Sequence, residues 1–287
     1  DRIGLSGEPP VSQQLWLTAA DMHGMPPKRS PSGHKGTYGH LGIIAGSTGY
    51  HGAACLSARA ALRSRPGLVS VFTPAYQAVA SHLQSAMVHP WTADIIKPMS
   101  ICTAMVIGPG LAGPDVPEDL RTVACQLWRE SLMPMIGDAS ALDWLPCGAT
   151  PENTTRILTP HPGEAARMLK CKPTEIQQDR LAAARQLANI YDSTIVLKGR
   201  HTIIGQDDGP VLVNPTGNSG LSQGGSGDVL VGFLGGLLAQ PQFNDRAVQA
   251  IAYAVWHHGK AADRLASGGD YWGQDDLICA LGKYKLY

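Results

Sequence analysis

The stretch "NPTGNSGLSQGGSGDVLVGFLGGLLAQ", residues 214–240, decides the fold. Within it a single acidic residue, Asp228, follows a run of Gly, Ser, Thr, Asn and Gln, and an almost unbroken apolar run comes after it. An apolar run of this length predicts a buried helix that begins near residue 227. The pattern therefore predicts a glycine-rich loop that opens a buried helix and holds one carboxylate at the helix start.

The loop residues just before Asp228 are suited to binding an anion. Backbone N–H groups without neighbouring Cβ atoms can close around an oxyanion, and the positive end of the helix dipole favours the same charge. The structural alternative is an Asp228 that only caps the helix, with glycines that shape a turn. A cap does not need four glycines within 220–227. We therefore predict an anion hole formed by Gly224, Gly225, Ser226 and Gly227.

Asp228 beside an anion hole suggests a reaction. A carboxylate is a weak base for an alcohol, but it can accept the hydroxyl proton late, as the oxygen captures a phosphoryl group in a loose transition state. The placement of Asp228 therefore favours phosphorylation of a hydroxyl group.

Outward from this stretch, strand-like and helix-like patterns alternate along the chain. Buried strands are predicted within 40–47, 67–74, 104–110, 132–139, 156–164 and 193–199. Helices are predicted at 52–64, 75–83, 117–130, 164–170 and 174–190, and from residues 227, about 245 and about 274. Two β-rich runs around Asp-Asp-Gly predict a hairpin near 201–214. The fold class is therefore α/β, a doubly wound and mostly parallel central sheet flanked by helices.

Polar loops at the strand ends carry the candidate functional residues. Parallel strands place these loops on one edge of the sheet, where such folds bind ligands. The six loops are 46–52, 108–113, 138–143, 159–164, 198–202 and 214–228. The loop "GPGLAG" formally matches the dinucleotide fingerprint G-x-G-x-x-G, but two prolines stiffen it and no helix opens from it, so a glycine-lined ligand wall is the better interpretation. The phosphate-binding pattern G-x-x-x-x-G-K-[ST] does not occur.

Several other residues allow a functional and a structural interpretation. His161 lies between two prolines in "TPHPGE", which suits either a ring aimed at a ligand or a cap of the next helix. In "KGRHT" (198–202) and around Lys35, phosphate contacts and solvated turns both remain open. The "HHGK" stretch (257–260) fits surface and packing positions of an amphipathic helix.

Composition and charge exclude some classes of function. Lys plus Arg and Asp plus Glu are both 23 among 287 residues, so the chain has no net positive charge that would attract nucleic acid or an anionic membrane. No apolar run reaches the roughly 20 residues that cross a bilayer. The six scattered cysteines and the absence of metal-ligand spacing predict reduced thiols in a cytoplasm and no protein-held metal. We expect a cytoplasmic protein.

The chain divides into two parts. Residues 1–32 are rich in Pro, Ser and Gly and are predicted to be a leader or linker with a short helix near 17–23. Residues 33–287 are predicted to form one domain.

Taken together, the motifs resemble those of the ADP-dependent NAD(P)H-hydrate dehydratases of the ribokinase-like superfamily. The resemblance is carried by "HKGTYGHLGIIAGS", "GAACLSARAALRS", "VIGPGL", "LTPHPGE", "VLKGRHTII" and "NPTGNSGLSQGGSGDVLVG", in this order from about residue 33 to the C-terminal helices. It implies a ribokinase-like fold and a repair reaction, in which the S-epimer of hydrated NADH or NADPH is dehydrated while ADP becomes AMP and phosphate. The C6 hydroxyl is phosphorylated, and phosphate then leaves with help from the ring nitrogen.

The resemblance also implies roles for individual residues. Asp228 is the catalytic acid/base and contacts the hydrate. The other implied hydrate contacts are Ala53, Gly110 and His161. The implied contacts to ADP or AMP are Lys198, Gly199, Arg200, His201, Thr202 and Gly227. Mg²⁺ is expected with the nucleotide phosphates, mostly through water. The sequence departs from the family pattern at Gln223, where a smaller residue is usual, and at Ser226, where Thr is usual.

The resemblance extends to partners and leaves two rival functions. "DRIGL" at residues 1–5 resembles the tail of the epimerase domain that precedes this domain in bifunctional members, so a covalently linked epimerase domain is expected. We also expect a homo-oligomer, although the small residues of 52–64 suit packing within one subunit equally well. The rivals are a kinase of the same superfamily that phosphorylates a vitamin precursor with ATP, and an NAD(H)-binding dehydrogenase or sensor built around "GPGLAG".

Overall fold

A computed structural model describes residues 14–269 and 271–283. The strands are β1 (Gln14–Trp16), β2 (His40–Ile44), β3 (Leu68–Thr73), β4 (Met87–Pro90), β5 (Ala104–Ile107), β6 (Met135–Gly137), β7 (Arg156–Leu158), β8 (Thr194–Leu197), β9 (Ile203–Gly205) and β10 (Val211–Val213). The helices are α1 (His51–Ser64), α2 (Tyr76–His82), α3 (Ile96–Met99), α4 (Glu118–Glu130), α5 (Pro162–Leu169), α6 (Pro173–Gln178), α7 (Arg180–Tyr191), α8 (Ser226–Leu238), α9 (Ala247–Gly268) and α10 (Gln274–Leu281).

All ten strands join one sheet in the order β1-β10-β9-β8-β7-β6-β5-β2-β3-β4. From β2 the chain moves outward to β3 and β4, then crosses to the other side of β2 and continues through β5, β6, β7 and β8, all in parallel. β9 is antiparallel to both of its neighbours. The doubly wound sheet and the hairpin are thus confirmed. The strand order reverses between β2 and β5, and open α/β sheets bind ligands at such a point.

Both faces of the sheet are covered, which explains the continuous apolar runs of the central strands. Alternate residues along a strand point to opposite faces. Ile43 and Val106 therefore join one apolar cluster with residues of α1, α8 and α9, while Ile44 and Ile107 join another with residues of α4, α5 and α7. Within the described ranges no helix combines the length and apolar character that a bilayer crossing requires.

Helices α1 and α8 approach each other closely because glycines line their contact. A Cβ on Gly232 would overlap the carbonyl oxygen of Ser57, and one on Gly236 would overlap the hydroxyl of Ser64. The amino ends of both helices are thereby held side by side. A Cβ on Gly225, just before α8, would likewise overlap the Leu56 side chain.

The observed elements differ from the sequence-based expectations at β1 and β4, at the additional short helix α3, and within 174–190. Strands β1 and β4 are additional, and both lie at the outer edges of the sheet. The helix expected over 174–190 is two helices, because Asp179 leaves helical geometry (φ −143°, ψ 82°) and its carboxylate accepts a hydrogen bond from the Ala182 N–H. Asp179 is therefore the N-cap of α7.

Part of the segment expected to be a leader or linker packs against the sheet. The epimerase-like residues 1–5 lie outside the described residues. β1 pairs in parallel with β10, and Leu17, Met22 and Met25 are buried in the apolar cluster on the α8 face. The boundary between residues 1–32 and 33–287 stays a prediction.

Candidate active site

The six strand-end loops meet at the carboxyl edge of the sheet, as predicted. The Gly46 N–H donates to the Pro109 carbonyl (2.8 Å), and the Lys198 N–H donates to the Pro160 carbonyl (2.8 Å). A Cβ on Gly108 would overlap the Asp138 carbonyl oxygen, so these loops touch as well. The candidate residues are thus brought together from five parallel strands and from α8.

Asp228 lies in the first turn of α8, where the sequence placed it. Gly225 is the N-cap and has the left-handed φ of 93° that glycine adopts without strain, so the helix begins at Ser226. The first N–H groups of a helix have no partners within it, and here the Ser226 N–H donates to the Gln223 carbonyl of the loop (3.3 Å). Burial raises the pKa of the Asp228 carboxyl to about 7, the Asp138 carboxylate adds to this, and the Lys198 ammonium partly offsets it.

Lys198 joins the acidic residues of the site. Its Nζ lies 2.7 Å from Oδ1 of Asp138 and 3.7 Å from Oε2 of Glu164. Burial alone would lower the pKa of the Lys198 ammonium, but the neighbouring carboxylates outweigh burial and raise it. A Cβ on Gly227 would lie 3.3 Å from Nζ, so the ammonium sits against the start of α8. A positive charge is therefore held at the predicted anion hole.

Asp138 and Glu164 were not assigned a role from the sequence. Asp138 is 2% exposed and also accepts a hydrogen bond from the Thr159 hydroxyl (2.6 Å). Glu164 is buried within the first turn of α5. Asp138 directly follows β6, and Glu164 lies in the helix that follows β7. An acidic residue just after a parallel strand is the sequence feature that indicates a place in the ligand site.

His161 is the N-cap of α5, which agrees with its structural interpretation. Its Nδ1 accepts hydrogen bonds from the N–H groups of Gly163 (3.0 Å) and Glu164 (3.3 Å), and Oε2 of Glu164 accepts from the His161 N–H (2.7 Å). The ring is thereby fixed, yet its side chain is 53% exposed. A ligand contact through Nε2 is compatible with this cap and stays a prediction.

Gly110 and Ala53 are in contact at the reversal point between β2 and β5. Gly110 has φ 66°, and an added Cβ would lie 2.9 Å from Cβ of Ala53 and overlap the carbonyl oxygen of Tyr50. The Ser47 hydroxyl donates to the Gly110 carbonyl (2.6 Å). Because α4 begins only at Glu118, no helix opens from "GPGLAG", and a ligand wall fits the structure better than a dinucleotide turn.

The loop 198–202 is held by its own hydrogen bonds and by Arg180. The Arg180 guanidinium donates to the carbonyls of Leu197 (3.0 Å), Lys198 (3.3 Å) and Arg200. The Thr202 hydroxyl donates to the Gly199 carbonyl (3.0 Å). Three carbonyls held by one planar group make this a shaped loop rather than a loose turn.

The two departures from the family pattern have clear contacts. Gln223 donates from Nε2 to the carbonyls of Gly220 (2.8 Å) and Trp272 (3.2 Å), which ties the glycine-rich loop to the segment before α10. The Ser226 hydroxyl accepts from Nε2 of Gln274 (3.1 Å). Gly224, in contrast, is exposed, and an added Cβ would meet open space.

Lys35 lies away from the site, whereas His258 hydrogen-bonds to the backbone of Ser226 at the start of α8. Lys35 belongs to a short helical turn that precedes β2, and a Cβ on Gly67 would overlap its carbonyl oxygen, so this loop lies at the amino edge of the sheet, away from Asp228. His257 and His258 are buried, which confirms packing for these two residues, while Lys260 of the same stretch is only partly buried. Burial lowers the pKa of the His258 imidazole to about 4.

The site fits a metal ion that arrives with phosphates. Among the described residues, no group of three or more His, Cys, Asp or Glu side chains is arranged to hold a metal ion on its own. The carboxylates near Lys198 nevertheless offer the oxygen ligands that Mg²⁺ prefers, and Mg²⁺ usually keeps several waters and binds substrate phosphates.

Comparison with solved structures defines the class of protein. The chain superimposes with a TM-score of 0.80 on a ribokinase-like superfamily protein from Enterococcus faecalis, at 25% identity and with 95% of both chains covered. A TM-score of 0.80 also relates it to the ADP/ATP-dependent NAD(P)H-hydrate dehydratase from Bacillus subtilis co-crystallized with ATP/Mg²⁺, at 30% identity with 93% of this chain and 96% of that chain covered. The fold is that of the ribokinase-like superfamily.

Sequence comparison narrows the class to one family. Residues 41–283 match the model of the NAD(P)H-hydrate dehydratase family, and the chain belongs to that family. It is 37% identical over 270 residues to the ADP-dependent (S)-NAD(P)H-hydrate dehydratase of Neisseria meningitidis. This alignment covers 90% of this chain and 87% of the relative. It is 39% identical over 247 residues to the bifunctional NAD(P)H-hydrate repair enzyme of Coxiella burnetii, which covers 85% of this chain and 49% of the relative. The chain thus spans about half the length of the bifunctional relatives.

Proposed function

We propose that this chain dehydrates the S-epimer of hydrated NADH or NADPH to NAD(P)H and couples this reaction to the conversion of ADP to AMP and phosphate. The observation that carries the proposal is Asp228, a carboxylate partly buried at the glycine-rich start of α8 and close to the Lys198 ammonium. Family membership and the Neisseria relative support the same reaction.

Asp228 acts as the base of the phosphorylation step. Its carboxylate removes the proton from the C6 hydroxyl as this oxygen bonds to the β-phosphorus of ADP, and the bond from that phosphorus to the bridging oxygen breaks to release AMP. A general base works best when its pKa lies near the working pH, and a pKa of about 7 meets that condition. Phosphate then leaves C6 as the ring nitrogen donates its electron pair, and loss of a proton from C5 restores the dihydronicotinamide.

The start of α8 and Lys198 stabilise the transferred group. Gly224, Gly225 and Gly227 supply N–H groups, and that of Ser226 would join them by leaving the Gln223 carbonyl (3.3 Å). These N–H groups and the positive end of the helix favour negative charge on phosphoryl oxygens. Lys198, now shared between Asp138 and Glu164, is close enough to Gly227 to turn to the phosphoryl group. Both effects act on charge that develops in the transition state.

The remaining site residues bind the two substrates. The loop 198–202 holds the adenine nucleotide, with Gly227 at its phosphates. Ala53, Gly110 and His161 hold the hydrated dinucleotide beside the reversal point of the sheet. Mg²⁺ bound to the nucleotide supplies charge neutralisation at the phosphates, and Asp138 and Glu164 would face it, mostly through water.

Partners and location complete the proposal. The relatives that carry a second activity support an epimerase domain linked to this chain in the whole protein. A homo-oligomer and a cytoplasmic location, both expected from the sequence, remain part of the proposal.

The test is recovery of absorbance at 340 nm from acid-prepared NADH hydrate, with ADP, with ATP or with neither. We expect ADP-dependent recovery by the wild-type chain and a loss of at least about 10²-fold in Asp228→Asn. Asp208→Asn, in the exposed turn between β9 and β10, is the matched control and should match wild type. No recovery with either nucleotide would overturn the proposal and favour the vitamin-precursor kinase.

A further inference from the structure

Strand β1 lies outside the residues that match the family model, yet it reaches the nucleotide loop. The match covers 41–283, whereas β1 is Gln14–Trp16. The Trp16 indole contacts the His201 imidazole, with 5.0 Å between ring centroids and an interplanar angle of 72°. A residue outside the matched range is thus placed against loop 198–202.

The position of Trp16 is set by the backbone. β1 pairs in parallel with β10 in a register that places Trp16 beside Val213, and the next N–H, that of Leu17, donates to the Val213 carbonyl (2.9 Å). Leu17 is 6% exposed, whereas Trp16 is 54% exposed. The buried Leu17 side chain therefore fixes the end of β1 in the core, and the Trp16 indole remains exposed to solvent.

His201, whose ring contacts the Trp16 indole, lies in a loop that is also held by hydrogen bonds. His201 adopts φ 56°, and the residues around it are fixed by the Arg180 guanidinium and by the bond from the Asn214 N–H to the Thr202 carbonyl (2.9 Å). The two rings therefore meet on backbone segments that are held in place, and we call this pair of rings the aromatic corner. An edge-to-face pair of this kind keeps indole surface available for a third ring.

The loop connects this aromatic corner to the phosphate end of the site. His201 follows Lys198 by three positions along the chain, a length that spans up to about 10 Å. This is the order of the distance between the diphosphate and the base of ADP. A base on the aromatic corner and phosphates at Lys198 are therefore compatible with one bound nucleotide.

We propose that Trp16 is a stacking surface for the adenine base of ADP, so that a strand outside the residues that match the family model helps to determine nucleotide affinity. The inference rests on the proposed function, which places ADP along loop 198–202. Stacking of a base on an aromatic side chain is strong enough to change affinity measurably and needs no hydrogen bond.

The test measures binding of ADP with Mg²⁺ by isothermal titration calorimetry. Trp16→Ala should raise the Kd of ADP by roughly tenfold, whereas Trp16→Phe, which keeps an aromatic face, should stay within about threefold of wild type. Leu15→Ala is the matched control, because Leu15 lies on the same strand and is 47% exposed. Ribose 5-diphosphate, which lacks the base, should bind wild type and Trp16→Ala equally.

The outcomes separate the inference from the proposed function. Absence of ADP binding to the wild-type chain would overturn the proposed function and the inference with it. Binding to wild type that Trp16→Ala leaves unchanged would overturn the inference alone. An equal loss for ADP and ribose 5-diphosphate would also overturn it, because the effect would then not depend on the base.

Discussion

At the scale of single residues, Asp228 shows a conflict between function and stability. A carboxyl group whose pKa is raised to about 7 favours its protonated form in the folded chain, whereas the unfolded chain leaves it near its usual value. Between about pH 4 and pH 7 the folded state therefore binds more protons than the unfolded state, and stability falls as pH rises. The ionised form that works as a base is the form that weakens the fold.

Asp228→Asn should therefore be inactive and more stable than wild type. At pH 8 we expect a gain in free energy of unfolding on the order of 2–4 kcal/mol, because the neutral amide avoids the cost of a partly buried charge. The gain should shrink several-fold near pH 4.5, where the wild-type carboxyl is mostly protonated. Urea unfolding at the two pH values measures it. A gain that is the same at both, or equal to that of Asp208→Asn, would contradict this account.

At the scale of elements, the contact between α1 and α8 connects packing with catalysis. The carboxylate and the anion hole are in the first turn of α8, so their position depends on how the rest of that helix lies on α1. Gly232 faces the backbone of Ser57, which cannot move aside as a flexible side chain can. A change at this contact should therefore act on the active site from a distance of more than one helical turn.

Gly232→Ala tests this connection. The added methyl group overlaps a carbonyl oxygen, so we expect a loss of roughly 1–3 kcal/mol in free energy of unfolding and a lower kcat in the molecules that remain folded. Gly268→Ala is the matched control at the end of α9, where an added Cβ meets open space and should be neutral or slightly stabilising. Thermal unfolding and the 340 nm assay give both quantities. A neutral Gly232→Ala would show that α1 and α8 separate at little cost.

At the scale of the whole molecule, the elements that the sequence predicts correctly are mainly the buried ones. Strands such as β2 and β5 are buried on both faces, so their continuous apolar runs indicate strands in the sequence. The alternation of these strands with helices then predicts the fold class. The edge strands β1 and β4 are short and partly exposed, so their sequences carry no clear period. Asp228 was recognisable by its local pattern. Asp138 and Arg180 were not, because their role depends on partners some 60 and 20 residues away in sequence.

The first strand also matters for stability, which a truncation would measure. Removal of residues 1–25 leaves β10 as a bare sheet edge and removes the buried side chains of Leu17, Met22 and Met25. We expect a loss of ~5 kcal/mol or more in free energy of unfolding, since each buried apolar side chain contributes roughly 1.5–3 kcal/mol. Leu15→Ala should change it by less than ~1 kcal/mol. Equal stability of the truncated and full chains would place the domain boundary at residue 33 after all.

The two outer strands of the sheet, β1 and β4, have a consequence for solubility. An open sheet presents unpaired N–H and C=O groups along its outer strands, and long flat edges recruit strands from other molecules. Here the outer strands are three and four residues long, and one of them ends at Pro90, which has no N–H to offer. The edges are therefore poor templates for intermolecular β-pairing. A wide sheet built for catalysis is in this way also protected against aggregation in a crowded cell.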